Sequence, residues 1–555
     1  MQADMIVTGA KVLTMDPARP RAGCVALAGG RILAVGGAEV MDLAAPGCRI
    51  IRAGGRTLLP GFIESHLHLG LGGSELPQLQ LGGITGFDAV QAAFRRHAEA
   101  NPGLPLLMAQ GAGYELLGGP TTRQRLDEVL PGRPIAMTAA DHHTVWTNTA
   151  ALVATGLLHG APMPFGHEVV MAPDGTAMGE LREFEAFAPI IALAGLKRLN
   201  LGIATGEEPD PAPSAAEREA DKVHLLRGLA HCAAHGITSM VNMDGNRYTC
   251  VLLQELETEG RLTARVKVPF HFKPHMGLHA LDRASAMAEE FKSEWVRAGF
   301  VKMFMDGVAD SRTAFNLQDY PGTPGHRGAP LFEPERFKSL CTEIDRRGLQ
   351  IAVHAIGDGA VRVTLDGYEA AGRANGLRDL RHRIEHIELI DPADVPRLGP
   401  LGVVASLQPP HVPGAMDCTL DCMTTVYHRH RWRDAYVWRT LVDAGAPLAY
   451  ASDWPVTDVS VMRGLQAALT RVPFDDACKD ERLGLMESLR AYTSGGAWAA
   501  HMEGLTGRIV PGLAADLVLI DGNVEAVAAE SLGRTGIAMT IAGGRITHHG
   551  PGFAS

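Results

Sequence analysis

The sequence has few cysteines for its length. Eight cysteines are scattered over 555 residues, and a chain of this size does not need disulfides to hold its core together. Cys418 and Cys422 in CTLDC have a spacing that could serve a metal ion, but no second pair accompanies them. The cysteine usage therefore excludes a disulfide scaffold, and we expect a reducing, cytoplasmic environment.

Long apolar runs and an excess of positive charge are also missing. The longest apolar candidate, FAPIIALAGL, is far shorter than the ~20 residues that a membrane-spanning helix needs, and MQADMIVTGAKVLTMDP lacks a secretion-signal pattern. The net charge is -11, whereas a nucleic-acid-binding surface is basic. We therefore expect neither a membrane nor a nucleic acid as a partner.

The two chain ends share one strand pattern. MIVTGAKVLTMD and CVALAGGRILAVGG near the start, and GRIVPGLAADLVLIDGN and GIAMTIAGGRITHHG near the end, predict short strands joined by glycine-rich turns. Neither end offers enough strands for a stable sheet alone. We therefore predict one small β-sandwich that is built from residues 1–57 and 501–555.

Between the ends, ten strand-like apolar runs alternate with helical patterns, which indicates a parallel sheet. No glycine-rich phosphate fingerprint follows an early strand, which weakens an open dinucleotide-binding sheet. A (β/α)8 TIM barrel needs eight strands, so LPLLMAQG and RPIAMTAA are assigned to an α/β insertion. The predicted α/β fold places barrel strand one in 58–72, the insertion in 73–222 and the rest of the barrel in 223–500.

Polar residues stand near the carboxyl ends of five predicted barrel strands. These are His66 and His68 on strand one, Lys302 and Asp306 on strand four, His354 on strand five, His386 on strand six and Asp453 on strand eight. In a barrel, these strand ends build the active site. Histidine and carboxylate are good ligands for zinc, so the set predicts a metal centre.

Lys302 has a chemical explanation in such a centre. A buried lysine has a lowered pKa, and its neutral amine can accept CO₂ to become a carbamate that bridges two metal ions. Taken singly, Lys302 could instead reach solvent, and each histidine could be a hydrogen-bonded core residue. Their joint placement on strands one, four, five, six and eight favours the metal centre.

The motifs PGFIESHLHLG, VKMFMDGVADSRTA, VHAIGDGA, RIEHIEL and SDWPV, in this order, resemble the metal-dependent amidohydrolase superfamily. Within it, the chain is similar to the amidohydrolase family 3 branch, which contains the N-substituted formamide deformylases. The chain ends fit that branch too, so the resemblance covers nearly the whole sequence. It implies a hydrolase of carbon–nitrogen bonds other than peptide bonds, with a small-molecule amide as its substrate and a homodimer among the expected assemblies.

The resemblance also implies the roles of the site residues. His66, His68 and Asp453 would bind the more buried metal ion, His354 and His386 the second, and carboxylated Lys302 would bridge them. The expected cofactor is zinc, as two ions per chain, although some members keep one. A metal-activated hydroxide would attack the amide carbonyl, with Asp453 as general acid and base.

Three other readings stay open. A mononuclear deaminase of the same superfamily would not need Lys302, but it usually carries HxxE after strand five, where this chain has HAIGD. A cyclic-amide or ester hydrolase of the superfamily would use the same residues. A non-catalytic scaffold that has lost its ligands is disfavoured, because every expected ligand type is present.

The chain departs from the branch at two places. Glu64 stands where an aspartate is usual, which touches the orientation of the ligands more than the ligation itself. In AADHHTVWTNTAAL, His142 replaces the usual glycine, which puts the local backbone conformation in question. His143 and Trp146 of this segment, together with Asp306, are the predicted substrate-binding residues. Lid packing for the first two, and a structural hydrogen bond for Asp306, are the alternatives.

Overall fold

The computed structural model describes residues 1–164, 166–415, 420–551 and 553. Cys418, one half of the CTLDC pair, lies outside the described residues. Among the described helices, none combines the length and the apolar character that crossing a membrane requires.

The described residues form strands, α-helices and short 3-10 helices. The strands are β1 (Ala3–Leu13), β2 (Arg21–Ala28), β3 (Arg31–Gly36), β4 (Ala44–Arg52), β5 (Thr57–Pro60), β6 (Phe62–Leu67), β7 (Leu79–Gln80), β8 (Leu107–Ala112), β9 (Ile135–Ala139), β10 (Thr144–Thr147), β11 (Glu168–Met171), β12 (Ala177–Arg182), β13 (Ile237–Asn242), β14 (Arg265–Lys267), β15 (Phe270–His271), β16 (Val296–Arg297), β17 (Phe300–Phe304), β18 (Gln350–Ala355), β19 (Arg383–His386), β20 (Val404–Leu407), β21 (Leu448–Tyr450), β22 (Leu517–Ile520), β23 (Ile537–Ala542) and β24 (Arg545–His549). The α-helices are α1 (Leu69–Glu75), α2 (Phe87–Ala100), α3 (Arg123–Val129), α4 (Thr149–Thr155), α5 (Phe184–Leu193), α6 (Lys197–Thr205), α7 (Ala215–Ala234), α8 (Arg247–Thr258), α9 (Leu281–Glu290), α10 (Pro334–Arg346), α11 (Asp358–Asn375), α12 (Val395–Leu401), α13 (Asp421–Val426), α14 (Trp438–Asp443), α15 (Val461–Thr470), α16 (Leu485–Ala491) and α17 (Ser494–Ala499). The 3-10 helices are Ala38–Leu43, Leu278–Ala280, Pro409–His411, Arg429–Asp434 and Ala529–Arg534.

Both chain ends contribute to one eight-stranded sheet. Its order is β24-β23-β22-β5-β1-β2-β3, with β4 paired to β1, and β22 joins the two ends by running antiparallel to β5. Val7, Val25, Leu517 and Met539 are buried together in its core. The two ends therefore meet, while the division of these strands into the two layers of a sandwich stays a prediction.

A second sheet lies in the segment between β6 and β13, which we call the insertion. Its order is β11-β12-β10-β9-β8-β7. It contains β8 and β9, the two apolar runs that exceeded the number needed for a barrel. Apolar side chains from its strands and from α2 to α5 pack on both faces of this sheet.

The remaining strands run parallel, with helices between most of them, as in an α/β barrel. They form two sheets, β16-β14-β13-β6 and β15-β17-β18-β19-β20-β21. The backbone N–H of Asp453 donates to the carbonyl of His66 at 2.9 Å, and that of His68 donates to Trp454 at 2.8 Å. These two bonds join the end of β6 to the loop that follows the short strand β21. They are not strand pairing, so the sheets of the described strands do not close into a complete barrel. The predicted closed barrel is corrected to a barrel-like arrangement.

Candidate metal centre

Two imidazoles from the end of β6 converge on one carboxylate. His66 is the last residue but one of β6, and His68 immediately precedes α1. Oδ1 of Asp453 lies 3.2 Å from Nε2 of His66 and 3.1 Å from Nε2 of His68. All three side chains are buried, and each offers a ligand atom within 4.8 Å of the others. The donor set suits zinc.

The other ring nitrogen of each histidine is held by a second carboxylate. Nδ1 of His66 lies 2.8 Å from Oε2 of Glu385, and Nδ1 of His68 lies 2.6 Å from Oδ1 of Asp244. A carboxylate on one ring nitrogen directs the other nitrogen towards a metal ion. Sequence reasoning missed Glu385 and Asp244, although both follow the same signal, a carboxylate at the end of an apolar strand.

The charges in this cluster support an ion between the side chains. Burial alone would raise the pKa of Asp453, but His66 and His68 hold that pKa well below its ordinary value. Burial alone would lower the pKa of His68, yet Asp244 and Asp453 raise it to about 9. A positive charge is therefore favoured between His68 and Asp453, and a divalent ion would supply it in place of the proton.

Lys302 is a buried residue whose amine has no hydrogen-bond partner among the described residues. The residue is 0% exposed, and its Nζ lies 4.9 Å from the ring centroid of Phe304. Burial lowers the pKa of Lys302 to about 8, against the opposing effect of Glu385 and Asp453. A substantial neutral fraction near pH 8 leaves the amine able to react with CO₂.

A second group of ligand atoms lies on the other side of Asp453. Nδ1 of His386 and Nε2 of His411 are each 3.9 Å from its Oδ2, and the two rings are stacked with centroids 5.8 Å apart. Sequence reasoning missed His411. It ends the 3-10 helix Pro409–His411, just beyond β20, where LQPPHVPG places a histidine after strand seven.

His354 borders this second group without joining it directly. Its ring centroid lies 4.5 Å from that of His386, and its Nε2 lies 3.0 Å from the carbonyl oxygen of Gly307. Burial holds the pKa of both His354 and His386 well below the ordinary value. Both imidazoles are therefore neutral, which is the form that binds metal ions.

The three predicted substrate-binding residues lie in different environments. The His143 ring is 5.9 Å from that of His354, so His143 faces the centre. Trp146 is buried in the core of the insertion. Its ring packs edge-on against that of Tyr114, with the ring centroids 5.0 Å apart. The contacts of Trp146 are those of lid packing.

Asp306 is occupied by the backbone. Its carboxylate accepts hydrogen bonds from the N–H groups of Phe315 at 2.9 Å, Ile356 at 3.1 Å and Gly357 at 2.9 Å. Burial raises the pKa of Asp306 to about 7. These bonds tie the loop after β17 to the end of β18. They are the structural hydrogen bonds that were the alternative to a substrate-binding role for Asp306.

The two departures from the family pattern both have a structural consequence. Oε1 of Glu64 accepts a hydrogen bond from the backbone of Ser452 at 2.8 Å, so the longer carboxylate anchors the residue before Asp453. His142 adopts φ 61°, a conformation that glycine favours. Its Nε2 lies 3.0 Å from Oε2 of Glu75 at the end of α1, which links the sheet of the insertion to α1.

Comparison with known proteins agrees with these observations. The sequence model of the amidohydrolase family matches residues 49–548 of this chain. The chain is 28% identical over 540 residues to Protein LONG AFTER FAR-RED 3 of Arabidopsis thaliana, covering 94% of this chain and 88% of that protein. It is 26% identical over 543 residues to N-substituted formamide deformylase of Arthrobacter pascens, covering 93% of each.

Among solved structures, an uncharacterized metal-dependent hydrolase from Pyrococcus horikoshii OT3 has a similar fold. The TM-score is 0.73 at 21% identity, and the match covers 95% of this chain and 99% of that one. This likeness supports the α/β barrel-like fold.

Proposed function

Since this chain belongs to the amidohydrolase family, we propose that it is a zinc-dependent hydrolase that cleaves the carbon–nitrogen bond of a small N-substituted amide or formamide-like substrate. The family makes it a metal-dependent hydrolase, and the name of the Arthrobacter relative suggests the kind of amide. A homodimer and a cytoplasmic location stay predictions, of which sedimentation of the purified protein tests the first.

One observation carries the proposal. The Nε2 atoms of His66 and His68 meet at Oδ1 of Asp453 within 3.2 Å, while carboxylates occupy both Nδ1 atoms. We propose that these three residues hold one zinc ion, that His354 and His386 hold a second, and that carboxylated Lys302 lies between them. Bound zinc would polarise the amide carbonyl and make water more acidic.

The protein's own groups would then guide the proton. Asp453 is ionised, because His66 and His68 hold its pKa low, and its carboxylate would accept a proton from the attacking water. The carboxyl group of Asp453 can then return that proton to the leaving nitrogen. Oε2 of Glu183 lies 2.8 Å from Nδ1 of His143 and orients its ring. His143 faces the centre from the insertion and would contact the substrate.

The test combines zinc content with amide hydrolysis in the wild type and in Lys302→Ala. Lys338→Ala is the matched control, because Lys338 lies on the surface of α10. We expect two zinc ions per chain, and the loss of both zinc and activity in Lys302→Ala alone. One zinc ion that is retained without Lys302 would favour the mononuclear hydrolase or deaminase. A wild type that binds no zinc and cleaves no amide would contradict the proposal.

A further inference from the structure

A cavity of about 340 Å³ lies within the insertion. Its walls come from α1, the sheet of the insertion, α5 and α6, and we call it the α5–α6 cavity. Leu71, Val145, Phe184, Phe187 and Leu201 supply apolar surface to it. This volume is in the range of small-molecule binding pockets, which are mostly apolar.

The α5–α6 cavity reaches from the surface into the interior. Among its wall residues, Lys197 and Ala192 are exposed, whereas Val145 and Phe187 are buried. An apolar group in the cavity would therefore contact buried apolar side chains at its inner end.

The cavity shares walls with the candidate metal centre. The ring of Phe184 is 6.1 Å from that of His143 and 6.3 Å from that of Phe304. The backbone N–H of Leu71 donates at 3.1 Å to Asp244, whose other oxygen holds His68. Phe184 and Leu71 thus lie between the cavity and the residues that would hold the metal.

Two of the polar side chains in the wall are hydrogen-bonded within the protein, while the charged Glu185 and Lys197 also line the cavity. Glu75 is bonded to His142 at 3.0 Å, and Asn200 donates to the carbonyl of Leu196 at 3.0 Å. No described residue of the wall has a buried side-chain polar atom without a partner. These two polar side chains are therefore already hydrogen-bonded, and apolar residues make up most of the lining.

We propose that the α5–α6 cavity binds an extended apolar arm of the amide substrate, while the amide group lies at the metal centre. This inference rests on the proposed function and names its substrate class, amides that carry an uncharged alkyl or aryl arm. Phe184 is then the residue that the arm passes on its way from the centre into the cavity.

The test uses two cavity-filling variants, Ala188→Phe on α5 and Ala204→Phe on α6, since both alanines line the cavity. Val153→Phe adds the same ring on α4, at a position that is 60% exposed and outside the cavity, and is the matched control. Two amide series are assayed with the zinc-loaded enzymes, N-alkylformamides and primary alkanamides of increasing chain length. Binding of the apolar dye Nile red is titrated separately.

In the wild type, we expect kcat/KM to rise by about fourfold per methylene in one series, which identifies the side of the amide that carries the arm. Both filling variants should lose this rise and bind Nile red at least tenfold more weakly, whereas Val153→Phe should behave like the wild type. Rates that are independent of chain length, or a rise that persists in both filling variants, would overturn the inference.

The dye separates this inference from the proposed function. If the wild type cleaves no amide, the proposed function fails. Weaker dye binding in both filling variants would still support an apolar site in the cavity, and unchanged binding would overturn that too.

Discussion

Nδ1 of His66 lies 2.8 Å from Oε2 of Glu385, although 319 positions separate the two residues. Arg383 fixes that carboxylate in turn, with Nε 2.5 Å from Oε1 and Nη2 3.0 Å from Oε2. Burial would raise the pKa of Glu385, but Arg383 and His66 hold it far below its ordinary value. A fixed negative charge therefore sets the orientation of His66.

Replacing Glu385 by glutamine should weaken zinc binding by about 10- to 100-fold, the effect typical of a carboxylate that supports a ligating histidine. Glutamine keeps the size of the side chain and removes its charge. The measurement is competition for zinc against a chelator. Asp244→Asn tests the same relationship at His68 and should give a loss of similar size.

Glu503→Gln is the control for both variants, because Glu503 pairs with Arg381 and contacts neither histidine. Zinc affinity equal to that of the wild type in both Glu385→Gln and Asp244→Asn would show that these carboxylates do not support metal ligands.

A second prediction concerns His411. Its Nε2 lies as close to Oδ2 of Asp453 as Nδ1 of His386 does, at 3.9 Å. We expect His411→Ala to weaken binding of the second zinc ion at least tenfold and to leave the first ion in place. Stepwise zinc titration measures this, with His430→Ala as the control, because His430 is exposed and bonded to Gln318. Two ions bound as tightly as in the wild type would exclude His411 as a ligand.

Much of this architecture could be predicted because it follows local patterns. The apolar runs that became β8 and β9 were recognised as surplus to a barrel, and the structure places them in the sheet of the insertion. His66 and Asp453 were predicted to meet because parallel strands bring their carboxyl ends to one edge. The structure brings them to 3.2 Å.

Side-chain direction could not be predicted in the same way. The strand period places Asp306 on the same face as Lys302. Its carboxylate nevertheless accepts hydrogen bonds from three backbone N–H groups. Trp146 shares a segment with His143, but successive strand residues point to opposite faces of a sheet, and Trp146 packs in the core. His411 was missed because it lies in a proline-rich turn beyond its strand, where no strand period applies.

A third prediction concerns pH and Lys267, whose Nζ donates to Oε1 of Gln350 at 2.8 Å. Burial, assisted by Arg383 and Arg297, lowers the pKa of Lys267 to about 7, whereas in the unfolded chain it is about 10.4. Between these values the unfolded chain binds more protons than the folded one. The contribution of Lys267 to the free energy of unfolding therefore rises with pH, by up to about 1.4 kcal/mol per unit.

Lys267→Met removes this titration. Relative to the wild type, the variant should be most stable near pH 7 and should lose that advantage steadily towards pH 10. Chemical unfolding at four pH values in this window measures the difference. Lys338→Met, at a surface position of α10, should show a difference that does not change in this way. Parallel stability curves for Lys267→Met and the wild type would contradict the lowered pKa.

The last prediction concerns the link between the sheet of the insertion and α1. The Glu75–His142 pair is buried, with both side chains less than 10% exposed, and His142 holds φ 61°. His142→Gly relieves a backbone strain of about 1 kcal/mol but leaves the carboxylate of Glu75 buried without its partner, which costs about 3 kcal/mol. We therefore expect a net loss of about 2 kcal/mol in the free energy of unfolding.

A double-mutant cycle separates the two effects. In a Glu75→Gln background, His142→Gly leaves no buried charge without a partner. The loss in the free energy of unfolding should therefore be far smaller, and the relaxed backbone could even stabilise the protein. The expected coupling energy is about 1–3 kcal/mol, as for residues in direct contact. Additive losses across the cycle would show that the pair does not hold the sheet of the insertion against α1, and that the conformation at His142 is fixed by the neighbouring loop alone.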